Sequence, residues 1–325
     1  MTTTLDAPAL VTAAGRRTGH GTALVLGAAA CLVVGSSVAV SDRITGYPVL
    51  GGQALRYAAA ALLLAVPAIL RQRRAPARLT GRDIARLIGV AAAGLAGFNL
   101  CLLEALRRAD PAVVGVVVGC TPLLLALGGA AVAGRRPALR LVLAALLVVG
   151  GAALVQGAGH ATAAGLAWSA GALLGEAGFS LLAAPLLPRL GPLRLSAAVC
   201  ALAVPMLVAG GLAVDGTDWV RAPSTGEAVA LTYLATAVTA GAFLAWYAGL
   251  AILGVERAGI LVGLMPIATL ATAAAANARL PDPVQLAGVV VVATGLALGL
   301  GARSRTVPPA TRDRRPARGR ACAPG

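Results

Sequence analysis

Gly115-Val-Val-Val-Gly119-Cys-Thr-Pro122 and Gly259-Ile-Leu-Val-Gly263-Leu-Met-Pro266 are one pattern written twice, 144 residues apart. At the same offset Gly21, Ala23 and Gly27 fall on Gly165, Ala167 and Gly171, Pro48 on Pro192, Gly97 on Gly241, and Gly151 on Gly295. One match would be noise in a chain with 41 glycines. Several in a single register, at equivalent points of successive apolar runs, indicate a duplicated unit.

Composition fixes the solvent of that unit. A chain of 325 residues that is 58% hydrophobic and 12% charged, with a mean hydropathy of +0.86, cannot cover a globule with a polar skin, so it belongs in a bilayer. Aromatic residues are only 3%, so the apolar mass is mainly small or aliphatic and lets helices approach closely. A crossing helix takes roughly 20 apolar residues, because lipid offers no partner to backbone polar groups. Ten stretches qualify, near 22–41, 48–70, 84–106, 111–133, 138–158, 164–187, 195–214, 228–250, 258–277 and 283–302. The expected organisation is an unstructured 1–20, a five-helix unit over 21–158, a second over 165–302 and a disordered basic tail over 303–325. Five crossings is an odd number, so the second unit enters the membrane upside down. The expected fold is an all-α integral membrane protein with ten transmembrane helices arranged as two inverted five-helix repeats.

Orientation follows from arginine, since the chain has no Lys and all 27 basic residues are Arg. One side carries Arg16 and Arg17, the loop from Arg71 to Arg86, Arg135, Arg136, Arg140, Arg189, Arg194, Arg257 and the tail from Arg303 onward. The other carries Arg43, Arg107, Arg108, Arg221 and Arg279. The positive-inside rule then makes both termini cytoplasmic. The net charge of +15 lies on loops and a tail rather than on a folded basic domain, which argues against nucleic acid as a partner and suits anionic lipid. Arg16-Arg17 ahead of an apolar run resembles an export signal, but the run is too long, and its counterpart at 165–187 could not be one. The five cysteines form no Cys-x-x-Cys and read as small packing residues.

Missing chemistry is equally informative. Without Lys there is no Gly-Lys-Ser/Thr phosphate loop, so energy must come from a gradient or a partner. The two histidines, His20 and His160, stand in no His-Glu-x-x-His, and no Gly-x-Ser-x-Gly is present. No cofactor or metal is implied, and the chain does not read as an enzyme.

What remains are ionisable groups that a membrane should exclude, at ~2.5 to 3.5 kcal/mol or more for a charge near the bilayer centre. Glu176 lies midway along the sixth span, Arg56 in the outer half of the second, and Glu104 near the outer end of the third. A carboxyl taken out of water holds its proton more tightly, so Glu176 is the candidate for proton titration or cation contact, with pairing to Arg56 as the structural alternative. Arg56 keeps its charge and either bridges helices or meets an anionic substrate group. Glu104 reads more simply as a partner of Arg107 or Arg108. Asn99 suits an interhelical hydrogen bond. Tyr57, Trp168 and Tyr247 are the aromatic residues carried forward as pocket candidates. Pro122 and Pro266 each free a carbonyl four residues back and predict a kink, read here as a hinge beside a cavity rather than a tolerated bend. Gly119 and Gly263 belong to the same break and to close packing.

The ten spans, the duplicated half, the segment Tyr47-Pro-Val-Leu-Gly-Gly-Gln-Ala-Leu-Arg56-Tyr57 and the paired Gly/Pro signature resemble an EamA-type member of the drug/metabolite transporter superfamily, over residues 21 to 302. The resemblance implies an inner-membrane carrier of amino acids, small metabolites or drug-like compounds, working by alternating access around a cavity between the halves, with export the favoured direction. Proton or ion coupling and a homodimer are compatible with it. The family tends to have Glu at the ends of the fourth and ninth helices, where this chain has Arg135 and Arg279, themselves 144 residues apart. The readings it competes with are a membrane scaffold or sensor partner that transports nothing, and a passive channel.

Overall fold

The computed structural model describes residues 7–70, 78–278 and 280–301, with side chains from residue 19 onward apart from 38, 39, 41, 42 and 277. Helices account for nearly all of it: α1 (Ala7–Ser41), α2 (Val49–Leu70), α3 (Gly81–Leu106), α4 (Pro111–Val132), α5 (Leu139–Gln156), α6 (Ala163–Leu181), α7 (Leu187–Asp215), α8 (Thr225–Leu253), α9 (Val255–Ala276) and α10 (Pro283–Leu300). Among the described residues there is no strand, only an isolated bridge between Ala109 and Ala161.

By length and apolarity nine helical stretches among the described residues can cross a membrane. One of them, Ala163–Trp219, is 57 residues long and holds both α6 and α7. At ~1.5 Å per residue it is far too long for one crossing. Gly191 turns the chain inside it with φ 69° and ψ 167°, a left-handed conformation that glycine adopts without a Cβ clash. The two helices then pack on different neighbours, α6 on α3 and α7 on α2. That accounts for the difference from the ten spans read in the sequence. Helix α1 starts at Ala7, ahead of the boundary at residue 21, although its apolar part is Gly19–Ser37. The tail from 302 onward lies outside the described residues.

Local signals explain where the helices begin. Thr80 and Asp83 form a capping box at the start of α3, Ser224 and Glu227 another at α8, and Asp282 and Gln285 a third at α10. Thr162 caps α6 by accepting from the Gly165 amide at 3.0 Å. Pro111 and Pro283 occupy first-turn positions, where the missing N–H costs nothing.

The most extensive helix contacts join one repeat to the other: α1 with α8 and α9, α2 with α7, α6 with α3 and α4, and α5 with α10. The α1–α8 and α3–α6 contacts exchange under the repeat, as do α1–α9 and α4–α6, while α2–α7 and α5–α10 map onto themselves. An inverted pair of five-helix units, interleaved about a pseudo-twofold axis, has this contact pattern. Small residues permit the closest approach: a methyl added at Gly151 of α5 would lie 2.7 Å from the Gly288 carbonyl oxygen of α10.

The register survives in the irregularities. Helix α3 contains a π-helical segment at Val90–Gly97 and α8 contains one at Leu234–Gly241, again 144 residues apart. A Cβ on Gly97 would sit 2.7 Å from the Ala92 carbonyl oxygen, and one on Gly241 3.3 Å from that of Thr236, five residues back in each case. The wide turn thus brings a carbonyl to the place a side chain would fill. Helix α4 breaks between Val118 and Thr121, and α9 between Leu261 and Leu264. The Val118 carbonyl freed by Pro122 accepts from the Thr121 hydroxyl at 2.7 Å, and that of Val262 accepts from the Met265 amide at 2.9 Å.

Candidate functional site

The largest buried cluster draws on α1 to α4 and α6 to α9, and polar groups are embedded in it. Arg56 of α2 donates from Nε to the Thr239 hydroxyl at 2.5 Å and from Nη1 to Gln53 Oε1 at 3.2 Å. Its guanidinium lies 5.3 Å from the centre of the Tyr57 ring. The Tyr57 hydroxyl accepts from Asn99 Nδ2 at 3.3 Å, and the same amide donates to the Leu95 carbonyl at 2.7 Å. Thr239 lies in one π-segment and donates to the Leu234 carbonyl at 2.9 Å. Asn99 follows the other. The wide turns thus aim both polar side chains at α2.

Around them stands an aromatic wall. Phe179 and Tyr247 stack with centres 4.9 Å apart, Phe243 lies 4.8 Å from Phe179, and Tyr57 lies 6.3 Å from Phe243. Trp246 donates to the Ser180 hydroxyl at 3.1 Å. Glu176 of α6 is half-buried beside this group, near enough for its charge to act on Cys31, Tyr57 and Tyr247. Among the described residues it has neither a hydrogen bond nor an ion pair, and the alternative in which it pairs with Arg56 is not formed.

The structure therefore brings together Arg56, Tyr57, Asn99, Glu176 and Tyr247, and leaves two other candidates aside. Glu104 is held by Arg107 at 2.8 Å and by Arg108. Trp168 is 36% exposed and has no place in the aromatic wall. Sequence reasoning passed over Gln53 and Thr239, and it did not carry forward Phe179 and Phe243, which stand within spans as aromatic residues able to line a pocket. Thr239 could have been found, because Leu234-Ala-Thr-Ala-Val-Thr-Ala-Gly241 repeats the small-residue run Val90-Ala-Ala-Ala-Gly-Leu-Ala-Gly97 with hydroxyls added. Among the described residues no cluster of three His, Cys, Asp or Glu could hold a metal ion. Gly119 and Gly263 stay within their helix breaks, and a methyl on Gly263 would collide with Val148.

Two charged groups sit at the rims. Asp83, 4% exposed, pairs with Arg189 in the first residues of α7, ahead of the turn at Gly191. Glu227, 8% exposed, binds Arg221 through both oxygens, at 2.5 and 2.9 Å. Arg221 also donates to the Gly46 carbonyl at 3.3 Å and lies 4.9 Å from the Tyr47 ring centre, and the Tyr47 hydroxyl donates to the Arg221 carbonyl. Hydrogen bonding to Glu227 raises the pKa of Arg221 further, so this pair stays charged at any ordinary pH. Asp83 and Glu227 are equivalent under the 144-residue shift, and Arg189 is equivalent to Thr45, next to Gly46 and Tyr47. Asp83 therefore ties the start of α3 directly to the other repeat, whereas Glu227 holds an arginine of its own repeat that in turn reaches Gly46 and Tyr47 of the first. With ten alternating passes, the starts of α3 and α8 lie at opposite ends of the bundle.

A family model described as EamA-like transporter matches residues 21–157 and again 163–300. The chain belongs to the EamA-like transporter family. It is 26% identical over 249 residues to an uncharacterized transporter, YetK, of Bacillus subtilis (strain 168), covering 74% of this chain and 75% of that one. A solved crystal structure, 19% identical, superposes with a TM-score of 0.72 over 86% of this chain and 96% of its own, which establishes the shared fold. This EamA-like chain is thus a multi-pass membrane protein of transporter type. Its Arg135, where the resemblance leads one to expect Glu, meets the buried Glu256 at the start of α9, with Nη2 2.7 Å from Oε1. The contact is one of charge, since Glu256 Oε1 has no aligned hydrogen bond. Arg279 lies outside the described residues.

Proposed function

We propose that this protein is a secondary carrier that moves a small metabolite, amino acid or drug-like compound outward across the inner membrane by alternating access. The substrate contacts Arg56, Glu176 and the aromatic wall, Glu176 carries the coupling proton, and both termini face the cytoplasm, as the arginine bias requires. The observation that carries the reading is the pair of rim latches. A scaffold has no use for ion-paired, equivalent carboxylates at opposite ends of one central group, and a channel does not need to close one end before opening the other. A carrier needs both, since access must alternate.

The test uses Cys200, fully buried and close enough for the Arg56 charge to act on it, as the single remaining cysteine. Asp83→Asn and Glu227→Gln keep their capping roles and lose only the charge. Impermeant maleimide is applied to right-side-out and inverted vesicles. Asp83→Asn should raise Cys200 labelling from one face and Glu227→Gln from the opposite face. Labelling from the same face, or from neither, refutes the carrier reading.

A further inference from the structure

Beside the central group, α2 and the first half of α8 part to leave a groove of about 420 Å³. Leu55, Ala59 and Leu63 form one wall, Leu231, Thr232 and Ala235 much of the other, and Pro223 stands at its mouth. Arg56 lines the same groove. It is seven residues into α2, so it stands ~10 Å along the helix axis from the end where α2 begins.

Among the described residues nothing compensates the charge at that place. Both hydrogen bonds that hold Arg56 go to neutral oxygens, and among the described residues no carboxylate pairs with it. A guanidinium carries five N–H donors in a rigid fork. Thr239 takes Nε and Gln53 takes one of Nη1, which leaves the end-on edge formed by Nη1 and Nη2. That edge matches a carboxylate in bidentate geometry. A fixed cation among apolar side chains at membrane depth is costly until an anion meets it.

We infer that the α2–α8 groove is the lateral binding site of a single-tailed organic carboxylate, whose head meets Arg56 and whose apolar body lies along Leu55, Leu63 and Leu231. The inference rests on the carrier reading of Arg56 and adds the substrate class and the side from which it arrives. The volume lies within the range of small-molecule pockets, roughly 300–1,000 Å³. A two-tailed phospholipid fits poorly, because its phosphate would have to leave the headgroup layer and descend to Arg56.

The experiment takes the full chain in nanodiscs of zwitterionic lipid and measures thermal unfolding with decanoate, decanol and decylamine, which share one tail. Decanoate should stabilise the protein, and the other two should not. Arg56→Gln and Ala59→Trp, a bulky change on an exposed groove position, should each weaken the decanoate response at least tenfold in concentration, whereas Trp168→Ala should not. Equal stabilisation by decanol or decylamine overturns the anion assignment. An undiminished response in Ala59→Trp overturns the groove. Displacement of decanoate by phosphatidylglycerol overturns the single-tailed class. Flux of a cation through the protein would leave the carrier standing and sink this inference, while decanoate binding without flux of any compound would do the reverse.

Discussion

Thr239→Val isolates the hinge between scaffold and site. Thr239 is fully buried, and its hydroxyl does two jobs, accepting from Arg56 Nε at 2.5 Å and donating to the Leu234 carbonyl at 2.9 Å. Valine keeps the shape and opens no cavity, so any effect comes from hydrogen bonding. It removes the side-chain donor to the Leu234 carbonyl and leaves a partly buried guanidinium N–H facing a methyl group. Leaving such a group unsatisfied costs ~1–3 kcal/mol. At roughly 2 °C per kcal/mol for a chain of this size, thermal unfolding of the purified protein should fall by about 2–6 °C. Freed from its anchor, Arg56 should also lose its fixed aim, and the decanoate response should weaken by roughly 5- to 150-fold, the equivalent of the same 1–3 kcal/mol. Thr239→Ser retains the oxygen and should recover most of both quantities. If Val and Ser behave alike, or if Val melts with the wild type, Thr239 does not hold Arg56 and the account of the site is wrong.

Other expectations follow from single contacts. Glu176→Gln should remain in the membrane and lose the pH dependence of flux in proteoliposomes; an unchanged pH profile removes Glu176 from coupling. Gly97→Ala should lower thermal stability more than Gly241→Ala, because the added methyl meets a carbonyl oxygen at 2.7 rather than 3.3 Å, and equal melting points would refute the reading of the π-segments. Arg135→Ala strands the buried Glu256 carboxylate and should lower the unfolding temperature, and the added change Glu256→Gln should restore part of the loss; no recovery would mean that the pair is not coupled.

The scaffold was legible because it is repeated. Glycine and proline mark backbone events that no other residue tolerates as well, so the matches at Gly119 and Gly263, Pro122 and Pro266, and Gly97 and Gly241 carried the register of the whole bundle. The capping boxes repeat too, although Thr80 and Asp83 share no residue identity with Ser224 and Glu227; only their chemistry matches. The site was harder to read because it is not repeated. Arg56 falls on Cys200, Asn99 on Phe243 and Glu176 on Leu32, so the polar group has no echo in the other half. Depth within a span picked out Arg56 and Glu176, since a charge in lipid demands a reason. Thr239 and Gln53 are ordinary in any helix, and only the wide turn of α8 and the facing of α2 reveal what they hold. Trp168 shows the opposite case. A large aromatic residue in a span draws the eye, but helix rotation, which a lone tryptophan does not report, turns it outward.

The π-segments carry one more consequence. Each stores a surplus residue, much as a crystal stores a dislocation: the lattice on either side is regular and the misfit is confined to a short core. Such a defect can glide. If it moved one step toward a helix end, every residue it passed would swing about the axis by ~100°, while the ends stayed put. The polar tips of α3 and α8 would then turn toward or away from α2 without any helix being unwound or translated, and the missing side chains at Gly97 and Gly241 are what keep that track clear.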